Sequence, residues 1–302
     1  MTALSRQYVK LCDLADFEDP RIRDKQREII PGFPPHEELR RKFWEYGMLG
    51  AYLDEVGALE ENATALAVAA GHEEPLFWLA NRIGSVVATD IYGDGDFSGR
   101  EAAESMLTNP SSFAPYPYRE DRLQVQHMNA TNLEFPDDSF DIVFSLSSIE
   151  HFGSLANIRR AAAEMSRVLK PGGHLIIVTE CLIGSKLIDS PKVQFAIKSL
   201  TLGRRAKGAT WSKRVIDAFS ASELQRDIVA PVGLPLDQPL NTDLSPGTFD
   251  NVIHWHGAGE LSPATGDPYP HLVLQAAGSP WTSAFLAFSK PAASSATGSD
   301  GT

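Results

Sequence analysis

Phe135-Pro-Asp-Asp-Ser-Phe-Asp-Ile-Val-Phe-Ser-Leu-Ser-Ser-Ile-Glu-His151 decides how this chain is read. A polar Pro-Asp-Asp-Ser turn gives way to the apolar run Phe140–Leu146, short and aromatic or β-branched enough for a buried strand. Ser154 then suits the N-cap of a helix whose buried stripe is Leu155, Ile158, Ala162, Met165 and Leu169. Lys170-Pro-Gly-Gly173 ends that helix, because proline and paired glycines cannot continue it. His174–Thr179 follows as a second strand. Strand, helix and strand in this order predict a parallel pair joined by a helical crossover.

The same alternation extends outward. Upstream, Ala65–Ala69, Ser85–Thr89 and Leu123–His127 read as strands, with a helix opening at Pro75 and burying Leu76, Leu79, Ala80 and Ile83. Downstream, Ser220–Gln225 opens a short helix and Trp281–Phe288 is a last strand. Residues 1–60 read as a helical cap. Leu39, Phe43, Tyr46, Leu49 and Leu53 form one apolar face there, broadened by Trp44. Residues 61–290 form the main α/β domain, with insertions at about 181–213 and 231–280 that are too long for plain connections. The second enters near the carboxyl ends of the strands, where open α/β sheets bind ligands, and is expected to be a lid, with a peripheral subdomain the alternative. The small polar residues of 291–302 predict a disordered tail.

Composition narrows the partners. Apolar residues make up 43% and charged residues 22%, enough for a proper core. A net charge of −12 argues against a nucleic-acid or acidic-membrane partner, which needs a positive field. The local basic run of Arg204, Arg205, Lys207, Lys213 and Arg214 reads as a solvated face. No stretch of about 20 apolar residues is present for a membrane span. Cys12 and Cys181 stand alone without metal spacing, so reduced thiols and a cytoplasmic location are expected.

Gly71 follows the first strand of the α/β domain, and Asp90 ends the second one 19 residues later. That spacing suits a nucleotide-like cofactor, whose ribose hydroxyls an acid at the second strand can bind. With Asn129-Ala130 after the third strand and the Phe135–His151 and Leu169–Leu175 runs, the chain resembles the class I methyltransferase family. The likeness is strongest to its small-molecule and polysaccharide-related O-methyltransferases and covers Thr64–Thr179 well. It implies a Rossmann-like seven-stranded sheet with one antiparallel strand, helices on both faces, and S-adenosylmethionine as cofactor. It also implies that Gly71 and Ala69 lie beside the methionine part of the cofactor, Asp90 at the ribose, and Asn129 and Ala130 at the adenine. By the same resemblance Ser145 and Leu146 would line the pocket. Ala67-Val-Ala-Ala-Gly-His-Glu73 departs from the family's acid-x-Gly-x-Gly-x-Gly: only Gly71 survives. Glu73, or Glu45 of the Phe43-Trp-Glu-Tyr46 cluster, is the candidate for the missing carboxylate.

Glu150-His151 is the catalytic candidate, because an alcohol must lose its proton and histidine titrates in the useful range. Some relatives read Glu-x-x-Glu-His here and bind a divalent metal. Ser147 replaces the first Glu, so no metal ligand is assigned and a magnesium-type ion stays an open alternative. Asp94 and Asp96, or His254, His256 and His271, are the other sets able to supply ligands. The resulting expectation is O-methylation of a small acceptor, with a sugar or oligosaccharide hydroxyl preferred and a homodimer compatible. The alternatives are a phenolic or lipid-like acceptor, or a cofactor-binding relative without catalysis.

Overall fold

The computed structural model describes residues 4–184, 217–255, 261–276 and 279–292. Two helices precede the main domain, Pro20–Ile29 (α1) and Arg41–Glu55 (α2), and a strand of two residues, Lys10–Leu11 (β1), comes before both. Thr64–Val68 (β2), Glu74–Ala80 (α3), Ser85–Asp90 (β3), Leu123–His127 (β4) and Phe140–Leu146 (β5) follow. Then come Leu155–Val168 (α4) and Leu169–Leu182 (β6). The chain closes with Ile253–Trp255 (β7), Leu261–Pro263 (β8), Leu274–Ala276 (β9) and Ser279–Ser289 (β10).

All ten strands join one sheet in the order β4-β3-β2-β5-β6-β10-β9-β7-β8, with β1 also paired to β10. Strands β2 to β6 pair in parallel, and β10 returns antiparallel to β6 from Trp281 opposite Leu182 to Ser289 opposite His174. Neighbouring side chains on a strand point to opposite faces, yet Ala65–Val68 and Ile142–Leu146 are buried throughout. Both faces of the central sheet are therefore covered, with α3 on β3, α4 on β5 and β6, and α2 on β10.

Four details differ from the expectations. Among the described residues the sheet has ten strands rather than seven: β2 to β6 and β10 make six, and β1 with the three short strands β7, β8 and β9 adds four at or beyond β10. Strands of two or three residues are too short to show a period. The N-terminal segment is accordingly not all helical: Lys10 and Leu11 lie opposite Phe285 and Ala284. Helix α2 is buried from Phe43 to Leu53 on every side, not along one stripe. Gly47 and Gly50 make that possible, since a Cβ on Gly47 would lie 2.8 Å from Ile22 Cγ2 and one on Gly50 2.9 Å from Lys25 Cβ. Helix α4 buries Ile158, Ala161, Ala162, Met165 and Val168, while Leu155 is exposed and Leu169 already belongs to β6. Its cap is as expected: the Ser154 side chain accepts from the Asn157 N–H at 3.1 Å.

The segment 231–280 is built into the sheet rather than laid over it. Strand β9 pairs with β10, β7 with β9, and β8 with β7. Asn241 exchanges backbone hydrogen bonds with Val9 and Leu11, and Leu236 bridges to Phe288. Its approach to the strand ends is made by His271, whose carbonyl accepts from the Arg41 N–H at 2.8 Å. The basic run at 204–214, most of the insertion at 181–213, His256 and the tail from 293 lie outside the described residues.

Candidate active site

The carboxyl ends of β2, β3, β5 and β6 converge, and each chain segment leaving them turns sharply. After β2, Ala69 takes φ 53° and Gly71 φ 50°. Glycine is required at 71, since a Cβ there would also lie 2.7 Å from the Glu101 carbonyl oxygen. The Gly71 N–H donates to Asp90 Oδ2 at 2.9 Å and the Ile91 N–H to Oδ1 at 2.7 Å. Tyr92 Oη in turn donates to the Gly71 carbonyl at 2.6 Å. Burial raises the Asp90 carboxyl against the pull of those two N–H groups. Each oxygen keeps a lone pair free for a further donor. Beside it, Asn129 is exposed with its Oδ1 accepting from the Thr131 N–H, while Ala130 and Met128 are buried.

Beyond β5 the chain meets α2. Ser147 takes φ 50° and its hydroxyl donates to Glu45 Oε1 at 2.7 Å, as does Ser283 of β10 at 2.5 Å. Glu45 is fully buried. Burial alone would raise its carboxyl, but Lys42 and Arg41 outweigh that and hold it below the ordinary range. Lys42 Nζ lies 3.1 Å from Glu45 Oε2, pairs with Glu73, and donates to the Leu146 carbonyl at 3.2 Å. The Ser148 hydroxyl reaches the Ala69 carbonyl at 3.0 Å, so the ends of β2 and β5 are tied directly. Ser145 Oγ is buried and has no hydrogen-bond partner.

Glu150 and His151 follow on a single 3-10 turn, Ile149–His151. Glu150 is buried, with Oε2 accepting from the Thr179 hydroxyl at 2.8 Å and Oε1 unpartnered. Burial pushes its carboxyl up to about 7 despite the neighbouring His151, with Glu180 adding to the rise. The His151 ring points elsewhere: Nδ1 is 3.4 Å from Asp217 Oδ2, and Phe97 packs against it at 5.1 Å. Burial lowers the imidazole, but the bond to Asp217 and the charges of Glu150 and Glu180 raise it further, so it ends above its ordinary value. Arg41 closes the group through Glu180 at 2.9 Å and the Ser283 hydroxyl at 3.0 Å.

Every site residue expected from the sequence stands at these strand ends, just past β4 (Asn129 and Ala130) or on the helix beside them. Lys42, Arg41, Glu180 and Asp217 were missed. Lys42 had a local signal, three residues before Glu45 on one helix, where side chains meet. Asp217 had none, being 66 residues from His151 in sequence. Of the other ligand sets, His256 lies outside the described residues. Asp94 pairs with His127 at 3.1 Å, His254 lies on β7 opposite Gln275, and His271 lies at the start of α2. Among the described residues no three His, Cys, Asp or Glu side chains are grouped for a metal ion. No helix among them is long and apolar enough to cross a membrane. An open depression of about 600 Å³ between Gln225 and Leu240 contains none of the strand-end residues.

A parallel sheet with an antiparallel last strand, carrying an acid at the end of β3 and a glycine turn after β2, defines a Rossmann-like methyltransferase fold. Residues 66–177, 112 of the 302 residues, match a family described as a methyltransferase domain. Among relatives, the 27-O-demethylrifamycin SV methyltransferase of Amycolatopsis mediterranei (strain S699) is 26% identical over 176 residues, 52% of this chain and 60% of that protein. A demethylmenaquinone methyltransferase of Symbiobacterium thermophilum is 37% identical over 100 residues, 33% of this chain and 37% of that protein. The chain thus spans less than two thirds of either relative. A solved SAM-dependent methyltransferase structure from Methanosarcina mazei aligns with a TM-score of 0.44 and 17% identity, over 78% of this chain and 96% of that one.

Proposed function

We propose that the protein transfers a methyl group from S-adenosylmethionine to a hydroxyl of a small polar acceptor, with His151 as the general base. The observation that carries this reading is the His151–Asp217 pair beyond the end of β5. A carboxylate at Nδ1 fixes the imidazole tautomer and leaves Nε2 free to take a proton. The bound cofactor supplies an electrophilic methyl on a sulfonium. The chain supplies alignment, which converts the encounter into an in-line displacement, and removal of the hydroxyl proton to His151 Nε2. Glu150 holds its place through Thr179 and modulates the charge at His151.

The residues present fit such a cofactor. Asp90, partly exposed with lone pairs to spare, accepts the ribose hydroxyls, with Gly71 and Ala69 shaping the turn beside it. Ala130 gives the adenine an apolar wall, Asn129 a polar edge, and Ser145 an unpaired hydroxyl. A sugar hydroxyl is the preferred acceptor because the Phe43-Trp-Glu-Tyr46 cluster resembles the cofactor-covering helix of some polysaccharide-related methyltransferases, and because 231–280 carries Trp255, Tyr269 and several His and Asp residues of the kind that suit sugars. The relative named for 27-O-demethylrifamycin SV supports oxygen as the methylated atom. A cofactor-binding protein without catalysis is the second reading, favoured by Ala67, Ala69 and Glu73 in the glycine turn.

Two measurements test this. Calorimetry with S-adenosylhomocysteine should show binding, and Asp90→Ala should weaken it by about 1.5–3 kcal/mol, the range for hydrogen bonds to a charged group. A screen of sugars and phenols with labelled methyl donor should then find an acceptor. Binding without any transfer would favour the second reading, and no binding by the folded protein would dismiss both.

A further inference from the structure

We infer that Lys42 and Glu45 of α2 hold the amino-acid end of the bound cofactor, and that Glu73 occupies Lys42 until that end arrives. The inference rests on the cofactor assignment above. Its first ground is position. Strand order reverses between β2 and β5, and in an open α/β sheet the crevice outside such a reversal is where a ligand lies. Here the two sides of that crevice are the turns Ala69–Glu73 and Leu146–Ser148. Lys42 touches both, through Glu73 on one side and the Leu146 carbonyl, 3.2 Å away, on the other. Glu45 is fixed beside it by the Ser147 and Ser283 hydroxyls, so its carboxylate is not free to swing away.

The second ground is charge. Glu45, Glu73 and Glu180 set three carboxyl groups against the two cations Lys42 and Arg41, one positive charge short of balance when all three acids are ionised. Glu45 and Glu73, the two acids at Lys42, resolve this differently. Lys42 and Arg41 keep Glu45 ionised against its burial, whereas burial pushes Glu73 up to about 7. An α-amino-acid group carries one carboxylate and one ammonium. Its carboxylate can take the place of Glu73 at Lys42 and its ammonium can join Glu45; the group is neutral overall, so the cluster balances through the displacement of Glu73. Glu73 then needs only to accept a proton or turn outward, and it is the acid of the two that does so readily.

The third ground is what β2 lacks. Position 67 is alanine, buried and without a charge to offer, and the one carboxylate bound to the Ala69–Gly71 turn is Asp90, already engaged by two N–H groups. The charges for a zwitterion therefore come from the N-terminal helix.

The test compares two nucleosides on the full chain by calorimetry. S-adenosylhomocysteine has the amino-acid end, and 5′-methylthioadenosine lacks it. Lys42→Met and the isosteric Glu45→Gln should each weaken S-adenosylhomocysteine about tenfold or more, a lost charged contact, while methylthioadenosine stays within about twofold. Glu73→Gln should tighten S-adenosylhomocysteine and leave methylthioadenosine unchanged. Retained methylthioadenosine binding also reports that a variant is folded; if Lys42→Met is not, Glu45→Gln decides. Equal losses for both nucleosides, or none for S-adenosylhomocysteine, would overturn the inference. Wild-type protein binding neither nucleoside would instead refute the cofactor assignment beneath it.

Discussion

Asp217→Asn keeps the shape of the side chain facing His151 and removes its charge. The two groups are 3.4 Å apart and partly open to water, the His151 side chain 33% exposed and Asp217 52%. With a water-like dielectric for so open a pair, their attraction is about 1 kcal/mol, a factor of roughly five. Turnover should therefore fall about fivefold in Asp217→Asn, whereas His151→Ala loses the base altogether and about 10²–10⁴-fold. The two losses should not add: with His151 absent, Asp217 has nothing to orient, so Asp217→Asn should cost little in that background. The pH profile gives an independent readout. His151 is raised, and as a base it acts only when neutral, so kcat/KM should climb with pH through a limb above the ordinary histidine value of about 6.5. Removing the Asp217 charge should move that limb towards lower pH. Single-turnover transfer of labelled methyl across neutral pH measures both. A limb that stays put in Asp217→Asn, or losses that multiply in the double variant, would show that His151 is not the base.

Ala69 holds a left-handed conformation that costs an L-residue about 1–2 kcal/mol, so Ala69→Gly should gain up to about 1 kcal/mol after glycine's entropy is charged, read as a higher urea midpoint. Asp227 is buried between Arg159 and Arg226, and burial raises its carboxyl less than the two arginines lower it. Its stabilisation is therefore present above the unfolded value of about 3.9 and is lost as pH falls through the depressed folded value. Asp227→Ala should cost about 2–3 kcal/mol at neutral pH, below the figure for a fully buried pair because both arginines reach solvent, and the gap from wild type should narrow in acid.

The α/β alternation was legible in the residues alone, because β2, β3 and β5 are runs of five to seven residues with apolar centres and the intervening helix has a cap and a Pro-Gly-Gly stop. Gly71, Asp90 and Glu150-His151 were legible for the same reason: each stands at the end of a strand whose limits its own residues set. Glu45 was legible only through resemblance. Tertiary structure decided the rest. Lys10–Leu11 and the three short strands of 253–276 take their conformation from pairing partners at the edge of β10, not from a period of their own. Tertiary pairing also turned the expected lid into an extension of the sheet. His151 meets Asp217, and Lys42 joins Glu45 to Glu73, only after strand order has brought distant turns together. Charge pairing of this kind depends on a separation of a few ångströms between groups distant in the chain, which a linear sequence does not specify.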